Sequence, residues 1–407
     1  MTKYICKICA NSSKNEKDSI RKKFSEKEYL VTNDKNRCIL HCEKNDWYET
    51  SNNNVKLWDK SQEKVLFFWK VLDNFIKQKN NSCYLYKIIF PVFFVETTFT
   101  YNYVIKKNIS IYACTFLDEA IFQNTIFEGR LSFMYLIFTE EFVFNYCSFN
   151  QEVTCALNLK LSKGSKLKNI ELSFKNSKFN EKFLMNDVDF SDCTLSFENT
   201  MFNSLVDFHN TTFSNIDFRN TKFNDIVVFV DCIFKKPLDL RNTIFRGEAN
   251  FLDIKFTQLL NQETSRLIKN QFEKLNNKIE ANKYHALELE QYRKDIKKRI
   301  FSNFKSFLKF LPDGLVSFFH WSSSNHSSSW VRPLFWIFIV SFCTNGIMGN
   351  TTIDFSFNGW NNLFKYINIL SKIEIFNGSY IAMSLNKVFL GYLYYQFLTA
   401  VRKDTRK

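Results

Sequence analysis

Apolar side chains recur at a fixed interval in residues 197–256. Each of six windows opens and closes with Phe or Leu: FENTMF (197–202), FHNTTF (208–213), FRNTKF (218–223), FVDCIF (229–234), LRNTIF (240–245) and FLDIKF (251–256). Consecutive windows start 10 or 11 residues apart, the third position is Asn or Asp, and the fourth is mostly Thr or Cys. A constant internal period is typical of repeat architectures. The pattern therefore predicts a solenoid.

The same window occurs upstream, which brings the total to twelve windows over 111–256. The upstream windows are IYACTF (111–116), FQNTIF (122–127), FMYLIF (133–138), FNYCSF (144–149), FKNSKF (174–179) and MNDVDF (185–190). A lysine-rich interruption at about 151–170 is predicted to be a loop. An 11-residue period can also indicate a coiled coil, but Phe, Asn, Thr, Asp and Cys are poor helix formers. Short strands joined by turns are predicted instead.

Split into five and six residues, the repeat resembles the pentapeptide-repeat family. In that family a small residue precedes a central Leu or Phe by two positions. The central Phe ends VDF (206–208), IDF (216–218) and ANF (249–251), and the small residue is Thr211, Thr221, Cys232 or Thr243. The resemblance implies a mainly β fold, a right-handed quadrilateral β-helix with two units per turn, hence about six turns for the twelve windows. Four thiols fall in the small-residue position and are predicted core residues: Cys114, Cys147, Cys193 and Cys232.

Helical patterns flank the repeats on both sides. Residues 63–78 place Val65, Phe68, Trp69, Leu72, Phe75 and Ile76 on one stripe. This helix and a strand within 84–99 are predicted to cap the N-terminal end of the column, as 46–110. Residues 257–330 are predicted to hold a helical hairpin that covers the last turn. A segment broken at Pro312–Gly314 and a flexible link at 322–329 would then follow.

The two most apolar stretches lie at 333–348 and 380–401, so 331–407 is predicted to be a two-helix membrane hairpin. Arg332 precedes the first stretch and RKDTRK follows the second. The positive-inside rule then places both termini in the cytoplasm. The expected location is an inner or plasma membrane, crossed more than once.

Charge and cysteine content refine this picture. The 407 residues carry a net charge of +14, and the basic excess lies outside the repeats. Basic ends suit nucleic acid or an anionic membrane face. The first residues contain no apolar core of a signal peptide. We therefore expect the 11 cysteines to lie in a reducing compartment, where thiols serve as metal ligands or as core residues.

Cysteine spacing predicts a structural zinc site in the module 1–45. Cys6 and Cys9 form CKIC, and CILHC contains Cys38, His41 and Cys42. Three thiolates with a fourth sulfur or imidazole ligand form a closed tetrahedral zinc site. Cys6, Cys9 and Cys38 are the expected ligands. The fourth is His41 or Cys42, and the two-residue spacing slightly favours His41.

The sequence shows no nucleophile–base set and no glycine-rich phosphate loop, so no catalytic residue and no cofactor other than zinc is predicted. The expected function is a non-catalytic, membrane-anchored scaffold or protein-interaction protein. One alternative is a subunit of an ion channel or transport assembly. The other is a nucleic-acid-related regulator, either a DNA mimic or a basic zinc module. Expected partners are the membrane through 331–407, an unidentified protein and a second copy of the chain. Nucleic acid is disfavoured because the repeats are only weakly acidic.

Overall fold

The computed structural model describes residues 4–10, 23–52, 55–93, 103–156, 170–257, 261–302, 304–349 and 356–405. The chain forms two compact units, Met1–Gln258 and Leu259–Lys407. The first is mainly a β-solenoid of about seven turns, and the second is helical. Most of the predicted loop at 151–170 lies outside the described residues.

Within the part of the solenoid that the structure describes, parallel strands stack in four groups. One stack has eight strands: Ser82–Tyr86, Asn108–Tyr112, Leu131–Met134, Val153–Ala156, Phe183–Leu184, Val206–Asp207, Val227–Val228 and Ala249–Asn250. A second has seven: Val104–Ile105, Ile126–Phe127, Ser148–Phe149, Lys178–Phe179, Met201–Phe202, Lys222–Phe223 and Ile244–Phe245. A third also has seven: Ala120–Gln123, Phe142–Asn145, Ile170–Ser173, Asp189–Ser196, Thr212–Asp217, Ile233–Phe234 and Lys255–Phe256. The fourth has three: Ile89–Phe90, Thr115–Phe116 and Ile137–Phe138.

Strand register gives the length of one turn. Leu131 pairs with Ile109 on one side and with Val153 on the other, so equivalent residues lie 22 positions apart. Two 11-residue windows therefore make one turn, as predicted. Inside the column, Phe rings of successive turns stack: Phe197 lies 5.6 Å from Phe218, centroid to centroid. Each buried ring contributes roughly 1.5–3 kcal/mol before the entropic cost of ordering it.

The third position of every window adopts a left-handed backbone. Asn199 has φ 57°, Asn210 has φ 52° and Asp231 has φ 57°. Asn and Asp tolerate this conformation better than other residues with a Cβ atom. The Asn/Asp preference in the sequence is therefore a requirement of the turn at that corner.

In windows with Thr, Ser or Cys at the fourth position, that residue often bonds to the turn before it. Thr200 donates its hydroxyl to the carbonyl oxygen of Phe174 at 2.7 Å, and Thr211 donates to Met185 at 2.8 Å. A thiol fills the same role at Cys232, whose Sγ lies 3.0 Å from the Phe208 oxygen. A small side chain with a donor fits here because the position is buried and faces a backbone carbonyl.

Asparagine amides form a second ladder along the column. The Nδ2 of Asn180 donates to Asn150 Oδ1 at 2.7 Å, Asn203 donates to Asn180 at 2.9 Å, and Asn224 donates to Asn203 at 2.7 Å. Each of these residues directly follows a window. Repetition of one polar residue at one position thus links four successive turns.

The strand stack reaches further toward the N-terminus than the twelve windows. Ser82–Tyr86 pairs in register with Asn108–Tyr112, which adds a first turn to the predicted six. The window LYKIIF (85–90) has the expected shape, and its third residue, Lys87, has φ 51°. Lysine replaces the usual Asn or Asp in this window, and the window starts 26 residues before the next one, so it does not follow the 11-residue period of the sequence.

In the described ranges, eleven helical segments accompany the strands of the two units. They are the α-helices α1 Lys7–Ala10, α2 Glu26–Thr32, α3 Gln62–Lys77, α4 Gln262–Lys274, α5 Lys278–Ile300, α6 Phe304–Ser324, α7 Val331–Ile347, α8 Phe357–Ile367 and α9 Tyr380–Thr405, with 3-10 turns at Asp59–Ser61 and Ile373–Phe376. Two antiparallel pairs join Tyr4–Ile5 to Lys23–Phe24 and Glu49–Thr50 to Lys56–Leu57. The six predicted stripe residues of α3 are all buried.

Helices α4 and α5 form the predicted hairpin, held by Glu288 with Arg266 and Lys269. Helix α6 continues through Pro312, which was predicted to break it. The serine-rich stretch predicted as a flexible link is packed instead. Ser324 is fully buried and donates its hydroxyl to Gln396 Oε1 at 2.8 Å.

The prediction of a membrane hairpin is wrong. Among the described residues, no helix combines the length and the apolar character needed to cross a membrane. Helix α7 has 17 residues, and the 26-residue α9 is interrupted by polar side chains, including the buried Asn386 and Gln396. The predicted multi-pass location and the predicted topology of the termini are therefore not supported. The channel alternative loses the feature on which it rested.

Candidate metal centre

Two short segments bring four predicted ligands together. Cys6 directly precedes α1, which carries Cys9, while Cys38 and His41 lie in a turn closed by a 2.9 Å hydrogen bond from the His41 amide to the Cys38 carbonyl. The amide of Lys7 donates to the Asn36 carbonyl at 2.7 Å and so joins the two segments. All four ligand side chains are buried.

The ligand atoms have the spacing of a tetrahedral site. Each pair among the three sulfurs and the imidazole nitrogen lies within 4.8 Å. His41 Nδ1 is 3.5 Å from the sulfur of Cys6, 3.5 Å from that of Cys9 and 3.1 Å from that of Cys38. A tetrahedral zinc with ordinary bond lengths separates nitrogen and sulfur ligands by about 3.5 Å. The four residues therefore fit a zinc ion.

Proton sharing among the thiols favours a thiolate at this centre. Hydrogen bonds from the Cys38 and Cys9 thiols hold the pKa of Cys6 far below its usual range. The same hydrogen bond to Cys6 raises the pKa of Cys38. Thiolate is the form of cysteine that binds metal, and bound metal would displace the remaining protons.

His41 is held at both ring nitrogens. Its Nδ1 faces the sulfurs, and its Nε2 lies 2.9 Å from the carbonyl oxygen of Tyr86. With Nδ1 as the ligand atom, Nε2 carries the proton and donates to that carbonyl. Such an outer hydrogen bond fixes the orientation and the tautomer of a metal-binding imidazole. Tyr86 lies in the first strand of the solenoid, so the centre is attached directly to the column.

Cys42, the alternative fourth ligand, does not join the group. Its side chain is buried, but its sulfur approaches the Ile39 carbonyl at 3.5 Å. Burial raises the pKa of Cys42. The sequence showed that His41 and Cys42 both follow Cys38 at a spacing that suits a metal ligand. It could not show which of the two side chains turns toward the other thiols.

A buried lysine that sequence reasoning missed lies beside the centre. Lys44 has no exposed surface, and its Nζ donates to the Cys42 carbonyl at 3.1 Å. The ammonium lies 5.2 Å from the ring centre of Trp47 and 4.9 Å from that of Phe68. Burial lowers the pKa of Lys44 to about 8. No pattern in the sequence around Lys44 indicated this burial.

The repeat cysteines are core residues, as predicted. Burial raises the pKa of Cys114, Cys147, Cys193 and Cys232 to about 12 in each case. Thiols with such a pKa are poor nucleophiles at neutral pH. The aspartates that precede a central Phe stabilise turns. Asp207 and Asp217 each accept a hydrogen bond from the amide two residues later.

Comparison with known proteins supports the repeat assignment for part of the column. The family model for pentapeptide repeats (9 copies) matches residues 197–244. The match falls on the windows with the most regular Asn, Thr and Phe pattern. A search of curated proteins found no match to the chain, and a search of solved structures found none.

Proposed function

We propose that this protein is a non-catalytic scaffold: a rigid pentapeptide-type solenoid with a structural zinc centre at its N-terminal end, presenting its outer surface to a partner protein. The continuous side-chain bonding between turns carries the proposal. Thr hydroxyls and Cys thiols in the windows, and Asn amides directly after the windows, bond to neighbouring turns. Because these side chains bond to neighbouring turns, they are not available to bind a partner. Recognition is therefore assigned to the outer surface of the column.

The right-handed, four-sided cross-section implied by the resemblance belongs to this proposal. Two windows per turn and a left-handed corner residue in every window support it. An experimental structure of the solenoid would test it directly.

Outward-facing tyrosines support a protein partner. Tyr84 and Tyr112 stack with ring centres 6.0 Å apart, and Tyr135 lies 5.2 Å from Tyr112 on the next turn. Tyrosine is enriched at protein interfaces because it combines apolar area with a hydroxyl group at low entropic cost. Nucleic acid stays disfavoured as a partner.

The metal part of the proposal is tested by the zinc content of the purified full chain. We expect one zinc per chain in the wild type and in Cys42→Ser, and loss of zinc in Cys9→Ser. The comparison of Cys9→Ser with Cys42→Ser distinguishes the loss of a metal ligand from a general effect of removing a buried thiol. Zinc loss in Cys42→Ser with zinc retained in His41→Ala would contradict the assignment.

The scaffold part is tested by cross-linking and mass spectrometry on cell extracts containing the full chain. We expect a partner protein to be lost when Tyr84, Tyr112 and Tyr135 are replaced by Ser. It should be retained when the exposed Arg219 and Arg241 are replaced. Identical partner sets for both variants, or an enzymatic turnover that follows the purified chain, would sink the scaffold proposal.

A further inference from the structure

The zinc centre and the first turn of the solenoid share a hydrogen-bonded junction. His41 Nε2 donates to the Tyr86 carbonyl at 2.9 Å, and the amide of Ile89 donates to the Leu40 carbonyl at 3.0 Å. The two bonds run in opposite directions between 40–41 and 86–89. Each uses a backbone group at the outermost turn of the column.

The outermost turn lies at the edge of its sheets. Ser82–Tyr86 ends the eight-strand stack, and Ile89–Phe90 ends the three-strand stack. An uncovered edge strand presents unpaired backbone groups that attract other chains. At this corner, 40–41 supplies the partners that a preceding turn would supply.

The corner is strained and needs support from both sides. Lys87 adopts φ 51°, a conformation that disfavours a side chain of this kind. On the inner side, Cys114 accepts from the Ile88 amide at 3.3 Å and donates to the Leu85 carbonyl at 3.3 Å. On the outer side, the corresponding support comes from Leu40 and His41.

We propose that metal binding closes the N-terminal edge of the solenoid, and that the imidazole of His41 transmits metal occupancy to the first turn. The inference rests on the proposed zinc centre. In small metal modules the metal supplies most of the folding free energy, because three thiols and an imidazole make a poor core alone. Loss of the metal therefore loosens 38–41 and frees the Tyr86 carbonyl and the Ile89 amide.

Hydrogen–deuterium exchange of the full chain tests the coupling, with zinc content measured on the same samples. Removing zinc with a chelator should speed exchange at the Ile89 amide by about tenfold or more, because opening then needs no metal release. Exchange at 222–234, several turns away, should not change. Cys9→Ser should reproduce the chelated state without a chelator.

His41→Cys separates the coupling from metal binding. Four thiolates still form a closed zinc site, but the bond to Tyr86 is gone. We expect one zinc per chain and exchange at 85–90 that is several-fold faster than in the zinc-loaded wild type. Bound zinc with wild-type exchange in this variant overturns the role of His41. Zinc-loaded and zinc-free wild type with equal exchange at 85–90 overturn the coupling while leaving the zinc centre intact. Absence of zinc from the wild type overturns both proposals.

Discussion

The hydroxyl of Thr221 donates a 2.7 Å hydrogen bond to the carbonyl oxygen of Phe197, one turn earlier in the solenoid. Thr221 is fully buried, and its neighbour Phe197 stacks on Phe218 of the same turn as the threonine. The bond thus joins two turns at the place where their aromatic cores meet. It is one member of the set formed by the fourth residue of the windows.

Thr221→Val should lower the free energy of unfolding by about 1 kcal/mol, because it keeps the shape and removes the hydroxyl donor. The loss stays moderate since the Phe197 carbonyl also accepts from the Thr200 amide. Urea titration of the full chain measures the effect. Thr212→Val is the matched control, because Thr212 lies on a strand and is only partly buried. Equal effects of the two changes would contradict the role given to the bond.

Tyr146→Asn should raise the free energy of unfolding by about 1 kcal/mol. Tyr146 occupies the third position of its window with φ 57° and is 56% exposed. Asn relieves a left-handed conformation that is costly for an aromatic residue, and little packing is lost. Thermal unfolding would show the gain as a higher Tm. Tyr112→Asn, on a regular strand, should give no increase; a gain there would indicate a different cause.

Lys107→Met should destabilise the N-terminal cap by about 1–2 kcal/mol. The Lys107 ammonium donates to the carbonyls of Ile76 at 2.7 Å and Lys77 at 3.0 Å, and also bonds to that of Lys79. It thereby satisfies the last carbonyls of α3, which have no partner within the helix. Faster amide exchange in 70–78 would report the loss. Lys106→Met, at an exposed neighbouring position, should leave this exchange unchanged.

Lys44→Met should stabilise the protein at neutral pH, and the gain should shrink in alkaline solution. Burial lowers the pKa of Lys44 from 10.5 to about 8, so the folded state disfavours the charged form. Below pH 8 the free-energy cost of burying the charged Lys44 ammonium is fully present and amounts to roughly 3 kcal/mol. It falls as the pH rises from about 8 to about 10.5, because the unfolded chain then binds the extra proton.

The measurement is the difference in unfolding free energy between wild type and Lys44→Met across this pH range. Contributions from groups that titrate alike in the two proteins cancel in this difference. Lys64→Met is a suitable control, since Lys64 also lies near the Trp47 ring but is less buried. A difference between wild type and Lys44→Met that is flat from pH 7 to pH 11 would show that burial does not shift the lysine.

Much of the metal centre could be read from the spacing of its ligands. Cys6, Cys9 and Cys38 were expected, with His41 or Cys42 as the fourth residue, and the structure brings the three thiols together with His41. Lys44 and the bond from His41 to Tyr86 were not expected. Both connect segments distant in the chain, and neither leaves a local pattern.

In the helical part of the chain, some local elements could be predicted from the sequence, but the environment of the apolar helices could not. Local periodicity predicted α3, α4 and α5, because an apolar stripe follows from the helical repeat. Apolar length alone suggested two membrane spans in 331–407, which was wrong. Hydropathy averages over a stretch cannot show that Asn386 is buried against Thr344, to which it donates a 2.9 Å hydrogen bond.

The sequence by itself determined the solenoid, its two windows per turn and the residue types of each corner. These features depend on backbone sterics and burial within a few residues, so they repeat visibly along the chain. The tertiary structure decided that the column has an additional first turn, that His41 and not Cys42 faces the three thiols, and that the His41 imidazole is hydrogen-bonded to the Tyr86 carbonyl. Side-chain direction and long-range hydrogen bonds settle these points, and both exist only once distant segments have packed.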